Sequence, residues 1–154
     1  MVKIFIVYGG HEGEGYGTTI RNYFKQNNIG SFLASELSPD MPRGIHTQDN
    51  IDKNLQSAQI AIIVVTPELR ISVAGMDEIR QILQLSIPFI PYRRRESEMP
   101  LELTPFQYME FDPAQLGTSE LKELEIQMWR TLDASQISVP KLSTNQPIEV
   151  SYIG

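Results

Sequence analysis

The chain has 154 residues, of which 41% are hydrophobic and 21% are charged, so it is long enough to bury one hydrophobic core without disulfides or a structural metal. It has no cysteine and only two histidines, which excludes disulfides, thiolate zinc sites and a cysteine nucleophile and argues against a histidine-rich metal site. Its formal net charge of −6 at pH 7, with Arg93–Arg95 as its basic cluster, argues against nucleic-acid binding.

The first third of the chain alternates between predicted strands, loops and helices. Val2–Tyr8 is a β-branched and aromatic run that predicts a strand covered on both faces. Five glycines in Gly9–Gly17 predict a loop, and the apolar spacing of Thr18–Asn28 predicts a helix. Ser31–Ala34 is a predicted second strand. The two prolines and the glycine of Ser35–Gly44 predict another loop.

The same alternation continues in the middle of the chain. Thr47 is a predicted N-cap for a helix with Ile51, Leu55 and Ala58 on its apolar side. Ile60–Val65 gives the strongest strand prediction. We expect it to lead through a loop, Thr66–Ala74, into a helix over Gly75–Ser86.

The last third predicts two more strands and a final helix. Pro88–Tyr92 is a short predicted strand whose prolines indicate a strand end or an exposed edge. Arg93–Pro105 is predicted to be a surface loop, and Phe106–Phe111 an edge strand. Thr118–Asp133 has the apolar spacing of a helix. Ser135–Gly154 shows no helical period, so we expect a domain over residues 1–134 and a tail over 135–154.

This order of elements predicts an α/β fold. Strands that alternate with helices form a parallel sheet with right-handed crossovers. We therefore expect a flavodoxin-like, open, five-stranded parallel sheet in the order 2-1-3-4-5, with helices on both faces. In such a sheet ligands bind at the carboxyl ends of the strands. The sequence has no apolar run long enough for a membrane span and no evident signal peptide, which predicts a cytoplasmic protein without membrane contact.

Two common types of site do not fit the loops at those strand ends. Gly9–Gly17 has the position of a phosphate-binding loop, but it lacks the Gly-Lys-Ser/Thr ending of a P-loop and the third glycine of the dinucleotide motif. A phosphoacceptor receiver domain needs acidic residues after the first and third strands, where this chain has Tyr8 and Thr66. Asp77 and Glu78 fall in the first turn of a predicted helix, where the helix dipole by itself favours carboxylates.

Several segments in the right order make the chain similar to the Toll/interleukin-1 receptor (TIR) domain family, in its microbial, single-domain form. The resemblance covers residues 2–133, and the matching segments are Phe5–Tyr8, Phe32–Gly44, Ile51–Ala58, Ile62–Leu69, Met76–Ile79 and Ile87–Pro91. The separation of Thr66 and Glu78 equals the separation of the family's serine and helix glutamate. The chain departs from the family at Ala74 and Gly75, where a tryptophan and a cysteine are common.

The resemblance implies an enzyme that cleaves the nicotinamide–ribose bond of NAD, with NAD as substrate and no cofactor. The position that matches the family's catalytic glutamate is Glu78, which would stabilise the ribosyl cation; its neighbour Asp77 is the rival. The expected products are nicotinamide and ADP-ribose or a cyclic ADP-ribose isomer. The residues expected to contact the substrate are Tyr8, Gly9, Gly10, His11, Arg43 and Thr66.

The resemblance also implies self-association with other TIR domains through the loop over residues 35–45, and a role in immune signalling such as microbial antiphage defence. Two alternatives remain open at this point. One is a TIR module that only binds other proteins. The other is an enzyme similar to nucleoside 2-deoxyribosyltransferases, which also place a glutamate on an open α/β sheet.

Overall fold

The computed structural model describes residues 2–33 and 47–142. The strands in this part of the chain are β1 (Lys3–Val7), β2 (Gly30–Leu33), β3 (Ile60–Val65), β4 (Phe89–Arg94) and β5 (Met109–Phe111). The helices are α1 (Gly10–Gln26), α2 (Thr47–Ser57), α3 (Val73–Leu85) and α4 (Thr118–Leu142). The predicted loop Ser35–Gly44 and residues 143–154 of the predicted tail lie outside the described residues.

The five strands form one parallel sheet in the order β2-β1-β3-β4-β5, which confirms the predicted topology. β1 and β3 occupy the centre of this sheet, and every residue of β3 is buried. A strand that is covered on both faces needs apolar side chains throughout, which explains the continuous apolar runs of both strands.

Helices cover both faces of the sheet and give two hydrophobic cores. On the α1/α4 face the core includes Ile4, Ile6, Ile20, Phe24, Ile62, Val64, Leu124 and Met128. On the α2/α3 face it includes Phe5, Val7, Ile51, Leu55, Ile63, Val65, Ile79 and Ile82. Alternate residues of β1 and β3 belong to opposite cores, because successive side chains of a strand point to opposite faces.

The prediction of a loop over Gly9–Gly17 was wrong, since α1 begins at Gly10. Gly13 and Gly17 lie one helical turn apart and are both buried. A Cβ at Gly17 would lie 2.7 Å from Leu33 Cδ1, and a Cβ at Gly13 would lie 3.2 Å from Tyr8 Cβ. These two glycines therefore let the helix lie close to the sheet.

Three other boundaries differ from the predictions. β4 lies inside the sheet, between β3 and β5, rather than at an edge. β5 pairs only with Tyr92–Arg94 of β4. Pro91 therefore has a strand partner on one side only. β5 is the predicted edge strand but begins at Met109. α4 continues to Leu142 rather than ending at Asp133, because no glycine or proline interrupts residues 134–139.

Candidate active site

The carboxyl ends of β1 and β3 are joined by one hydrogen bond. The hydroxyl of Thr66, which directly follows β3, donates to the carbonyl oxygen of Gly9, at a distance of 3.5 Å. Thr66 is 1% exposed, and its Oγ1 lies 3.6 Å from the position of a Cβ on Gly13. The Thr66 side chain is therefore enclosed between the end of β1 and the first turns of α1.

The start of α3 packs directly against the end of β1. A Cβ at Gly75 would lie 3.0 Å from the carbonyl oxygen of Tyr8, and a Cβ at Gly9 would lie 2.7 Å from Ser72 Cβ. Ser72 is the N-cap of α3 and accepts a hydrogen bond from the Gly75 amide at 3.0 Å. Only residues without side chains allow this approach, so the departure from the family at Gly75 has a packing role here.

Glu78 lies one helical turn after Gly75 on the buried side of α3. Its side chain belongs to a helix whose neighbouring inward residues, Met76, Ile79 and Ile82, form the core of the α2/α3 face. Glu78 is only 3% exposed, and within the part of the chain that the structure describes its Oε1 has no hydrogen-bond partner. A buried polar atom without a partner is rare in proteins and indicates a site with a role beyond packing.

The surroundings of Glu78 favour its protonated form. Burial, and after it the negative charges of Asp77 and Asp52, raise the pKa of this carboxyl to about 8. Removing a carboxylate from water without a compensating partner costs so much that the group instead takes up a proton. A perturbed carboxyl of this kind is typical of functional sites.

Asp77 differs from Glu78 in its exposure and in its hydrogen bonding. It is exposed and accepts a hydrogen bond from Gln81 Nε2 at 3.0 Å. Because α3 begins at Val73, neither carboxylate lies in its first turn, so the prediction that placed them there was wrong. The helix dipole, which acts mainly on the first turn, therefore does not account for a carboxyl at position 78.

The other predicted site residues fall into two groups. Tyr8 is half-buried and packs against the core of the α1/α4 face, and Thr66 is buried beside it at the end of β3. Gly10 and His11 are exposed at the start of α1, where the backbone of Gly10 has a positive φ of 77°. The predicted contact Arg43 lies outside the described residues.

The sequence did not indicate that Glu68 also belongs to this edge of the sheet. A Cβ on Gly10 would collide with the carboxyl group of Glu68, so that side chain lies over the first residue of α1. Only the alignment of β1 and β3 side by side brings Gly10 and Glu68 together, since they are far apart along the chain. The N-cap role of Ser72 could have been predicted from the sequence, because a serine ahead of an apolar helical run is a common N-cap.

The single buried carboxyl of Glu78 can act on a substrate that develops a positive charge. Among residues 2–33 and 47–142, no three histidine, aspartate or glutamate side chains are close enough together to hold a metal ion. A single carboxyl in a low-dielectric setting interacts strongly with a positive charge that develops beside it.

None of the helices in the described ranges is long and apolar enough to cross a membrane.

Comparison with known proteins identifies relatives of this fold. The sequence profile of the TIR domain family matches residues 4–136. The TIR domain of the Toll-related receptor TRR-2 from Hydra magnipapillata is similar in structure, with 20% identity, a TM-score of 0.61 and coverage of 86% of this chain and 95% of that one. The TIR domains of the activated Roq1 resistosome, which recognises the pathogen effector XopQ, have 15% identity and a TM-score of 0.54, with 62% of this chain covered.

A similar structure outside this group is the 2-deoxyribosyltransferase of Bacillus psychrosaccharolyticus. It shares 13% identity and a TM-score of 0.57, with 78% of this chain and 96% of that chain covered. At these identities the three structures show a common fold alone. The match to the Roq1 structure spans 58% of that chain's length. No curated protein matches the sequence.

Proposed function

The chain belongs to the TIR domain family, and we propose that it is an NAD nucleosidase or cyclase that uses Glu78 to cleave the nicotinamide–ribose bond. The observation that carries this proposal is the carboxyl of Glu78, which is 3% exposed, has an oxygen without a partner in the described ranges and occupies the position of the family's helix glutamate. NAD is the substrate in this proposal, and no cofactor takes part.

The reaction needs little beyond a well-placed negative charge. When the C1′–N bond breaks, nicotinamide leaves with the bonding electron pair, which neutralises its pyridinium ring, and C1′ of the ribose becomes cationic. An ionised carboxylate beside C1′ stabilises that cation, as carboxylates do in glycoside cleavage. Water then attacks C1′ and loses a proton, which gives ADP-ribose. Attack by a nucleophile within ADP-ribose gives a cyclic isomer instead.

The protonated state of Glu78 in the free protein fits this role. A cationic substrate lowers the pKa of a neighbouring carboxyl because it stabilises the ionised form. Binding of the nicotinamide ribosyl group therefore promotes the charge that the transition state needs. Since the interaction is strongest with the fully developed cation, it lowers the barrier more than it strengthens binding.

The remaining substrate contacts follow from the edge of the sheet at which Glu78 lies. We propose that Gly9, Gly10 and His11 contact the nucleotide at the start of α1, with Tyr8 and Thr66 holding the backbone of this turn in place. Arg43 would contact the diphosphate from the loop over residues 35–45, because a guanidinium pairs well with phosphate oxygens.

Access to Glu78 links the proposed activity to self-association. A carboxyl that is 3% exposed contacts a substrate only after the groups that cover it move. We propose that association with other TIR domains through the 35–45 loop favours the open arrangement, so that the dilute protein has low activity. We place this activity in the cytoplasm, in immune signalling of the antiphage type.

One incubation series tests the proposal against its two alternatives. The protein is incubated with NAD, and separately with a deoxynucleoside plus a second free base, and the products are separated by chromatography. Release of nicotinamide that Glu78→Gln abolishes supports the proposal. Base exchange on the deoxynucleoside favours a 2-deoxyribosyltransferase, and no turnover in either mixture at high protein concentration favours a binding module.

A further inference from the structure

The first half of α1 is a helix that its own sequence does not favour. Four of its first eight residues are glycine, namely Gly10, Gly13, Gly15 and Gly17. Each glycine in a helix interior lowers the helix-forming equilibrium about fivefold relative to alanine. Contacts with the rest of the domain must therefore hold this segment helical.

Buried packing supplies one part of that support. Gly13 and Gly17 are buried against the sheet and leave little room for any side chain. Packing of this kind fixes the middle of the segment. At its start the Glu68 side chain lies over Gly10, but Gly10 and His11 are still exposed. The first turn needs a further anchor.

A side-chain network from β4 and β5 provides that anchor. Arg94 Nε lies 2.7 Å from Glu12 Oε2, as an ion pair rather than a well-directed hydrogen bond. The hydroxyl of Tyr16 donates to the same oxygen at 2.8 Å, and the Tyr16 ring contacts Phe111 edge-on at 5.1 Å. Burial and then the bond to Glu12 raise the pKa of Tyr16, so its phenol remains a donor.

Arg94 stands at the carboxyl end of β4, on the same edge of the sheet as the candidate site. Fully exposed ion pairs contribute little to stability. This one differs, since its side chains are 32% and 36% exposed and the carboxylate has a second donor in Tyr16. Glu12 is the third residue of α1, so the ion pair acts on the turn that directly follows Gly9 and Gly10.

We propose that Arg94 is a positioning residue: through Glu12 it holds the glycine-rich first half of α1 helical and so fixes the Gly9–Gly10 turn beside the candidate site. The effect of Arg94 on substrate binding rests on the proposed function, whereas its effect on the helicity of α1 does not. If the turn is fixed by this contact, its loss weakens substrate binding without changing the charge that Glu78 supplies.

Amide hydrogen exchange tests the effect on α1 directly. The amides of residues 14–19 bond to carbonyls of the first half of the helix, and they report its opening. We expect Arg94→Met to speed their exchange about two- to fivefold, the factor for loss of a partly exposed ion pair. The matched control is Arg95→Met, since Arg95 is the next residue in the chain and pairs with Asp112 at 3.5 Å.

A rescue variant separates this role from general destabilisation. Gly15 is exposed, and a Cβ there would meet nothing within 4 Å. Adding Gly15→Ala to Arg94→Met should therefore slow the exchange of residues 14–19 about fivefold again, through helix propensity alone. Exchange in β3, which reports unfolding of the whole domain, should stay slower than exchange of residues 14–19 in all variants.

Kinetics with NAD test the link to the site. We expect Arg94→Met to raise the KM several-fold with kcat nearly unchanged, and Arg94→Lys or added Gly15→Ala to restore it in part. Unchanged exchange in residues 14–19, or exchange of these amides as slow as in β3, would overturn the proposal, as would a loss of kcat with KM unchanged. If the wild type does not turn over NAD, the proposed function fails, while the exchange results still decide whether Arg94 holds α1.

Discussion

Asp77 and Glu78 are consecutive residues of α3, yet Glu78 is 3% exposed while Asp77 lies in solvent and accepts a hydrogen bond from Gln81. Consecutive helix residues point about 100° apart, so only one of them can face the sheet. This difference makes Asp77 a control, in the same turn, for the role proposed for Glu78.

Glu78→Gln should nearly abolish nicotinamide release, because the amide keeps the shape of the side chain but removes the charge that stabilises the ribosyl cation. Glu78→Ala should have the same effect and should still fold. Asp77→Asn should retain most of the activity. The measurement is the initial rate of nicotinamide formation, and wild-type turnover by Glu78→Gln would disprove the role of the charge.

The pH dependence of kcat/KM should rise with pH and level off above about 8, the pKa to which burial raises Glu78 in the free protein. The ionised carboxylate is the active form, and below its pKa most molecules are protonated. Asp77→Asn removes a negative charge that raises this pKa, so its profile should shift to lower pH. A profile that is flat between pH 6 and 9 would contradict this assignment.

The free energy of unfolding should fall as pH rises, opposite to the trend expected for kcat/KM. In the folded protein the pKa of Glu78 is raised from 4.5 to about 8, so the folded state binds a proton that the unfolded chain releases. Its contribution is fully present below pH 4.5 and is lost as pH rises through 8, on the order of 1.4 kcal/mol for each pKa unit. Glu78→Gln should lose this dependence, so urea unfolding at pH 9 should show the variant to be more stable than the wild type.

Two glycines of α1 should respond oppositely to the same substitution. Gly17→Ala places a methyl group 2.7 Å from Leu33 Cδ1 in a filled core and should cost about 1–3 kcal/mol of unfolding free energy. Gly15→Ala meets no neighbour within 4 Å and should stabilise the protein by about 0.4–1 kcal/mol. Denaturant unfolding measures both; equal effects would show that Gly17 does not mediate the close approach of α1 to the sheet.

The specific activity should fall as the protein is diluted, because association is proposed to open the cover of Glu78. Rates per protomer are measured across several decades of concentration, alongside the sedimentation profile. An activity that stays constant while the oligomer dissociates would argue that the monomer is fully active.

The sequence by itself determined the fold. The continuous apolar runs of β1 and β3, separated by amphipathic helices, are compatible only with strands buried on both faces, and this requirement specified the parallel sheet and its order. The sequence also identified Glu78 as a candidate site residue, because its separation from Thr66 along the chain matches the family motif. These features are local in sequence or repeat with a fixed period, so they are visible without coordinates.

The tertiary structure decided what depends on contacts between distant segments. The glycines of Gly9–Gly17 predict a loop when only their propensity is considered, but the close packing of Gly17 on Leu33 makes them part of a helix. The state of Glu78 likewise depends on burial between packed elements, which raises the pKa of its carboxyl to about 8. Helix propensity contributes little free energy per residue, so packing can override it. Burial can likewise shift the pKa of a carboxyl far from the value set by the residue type alone.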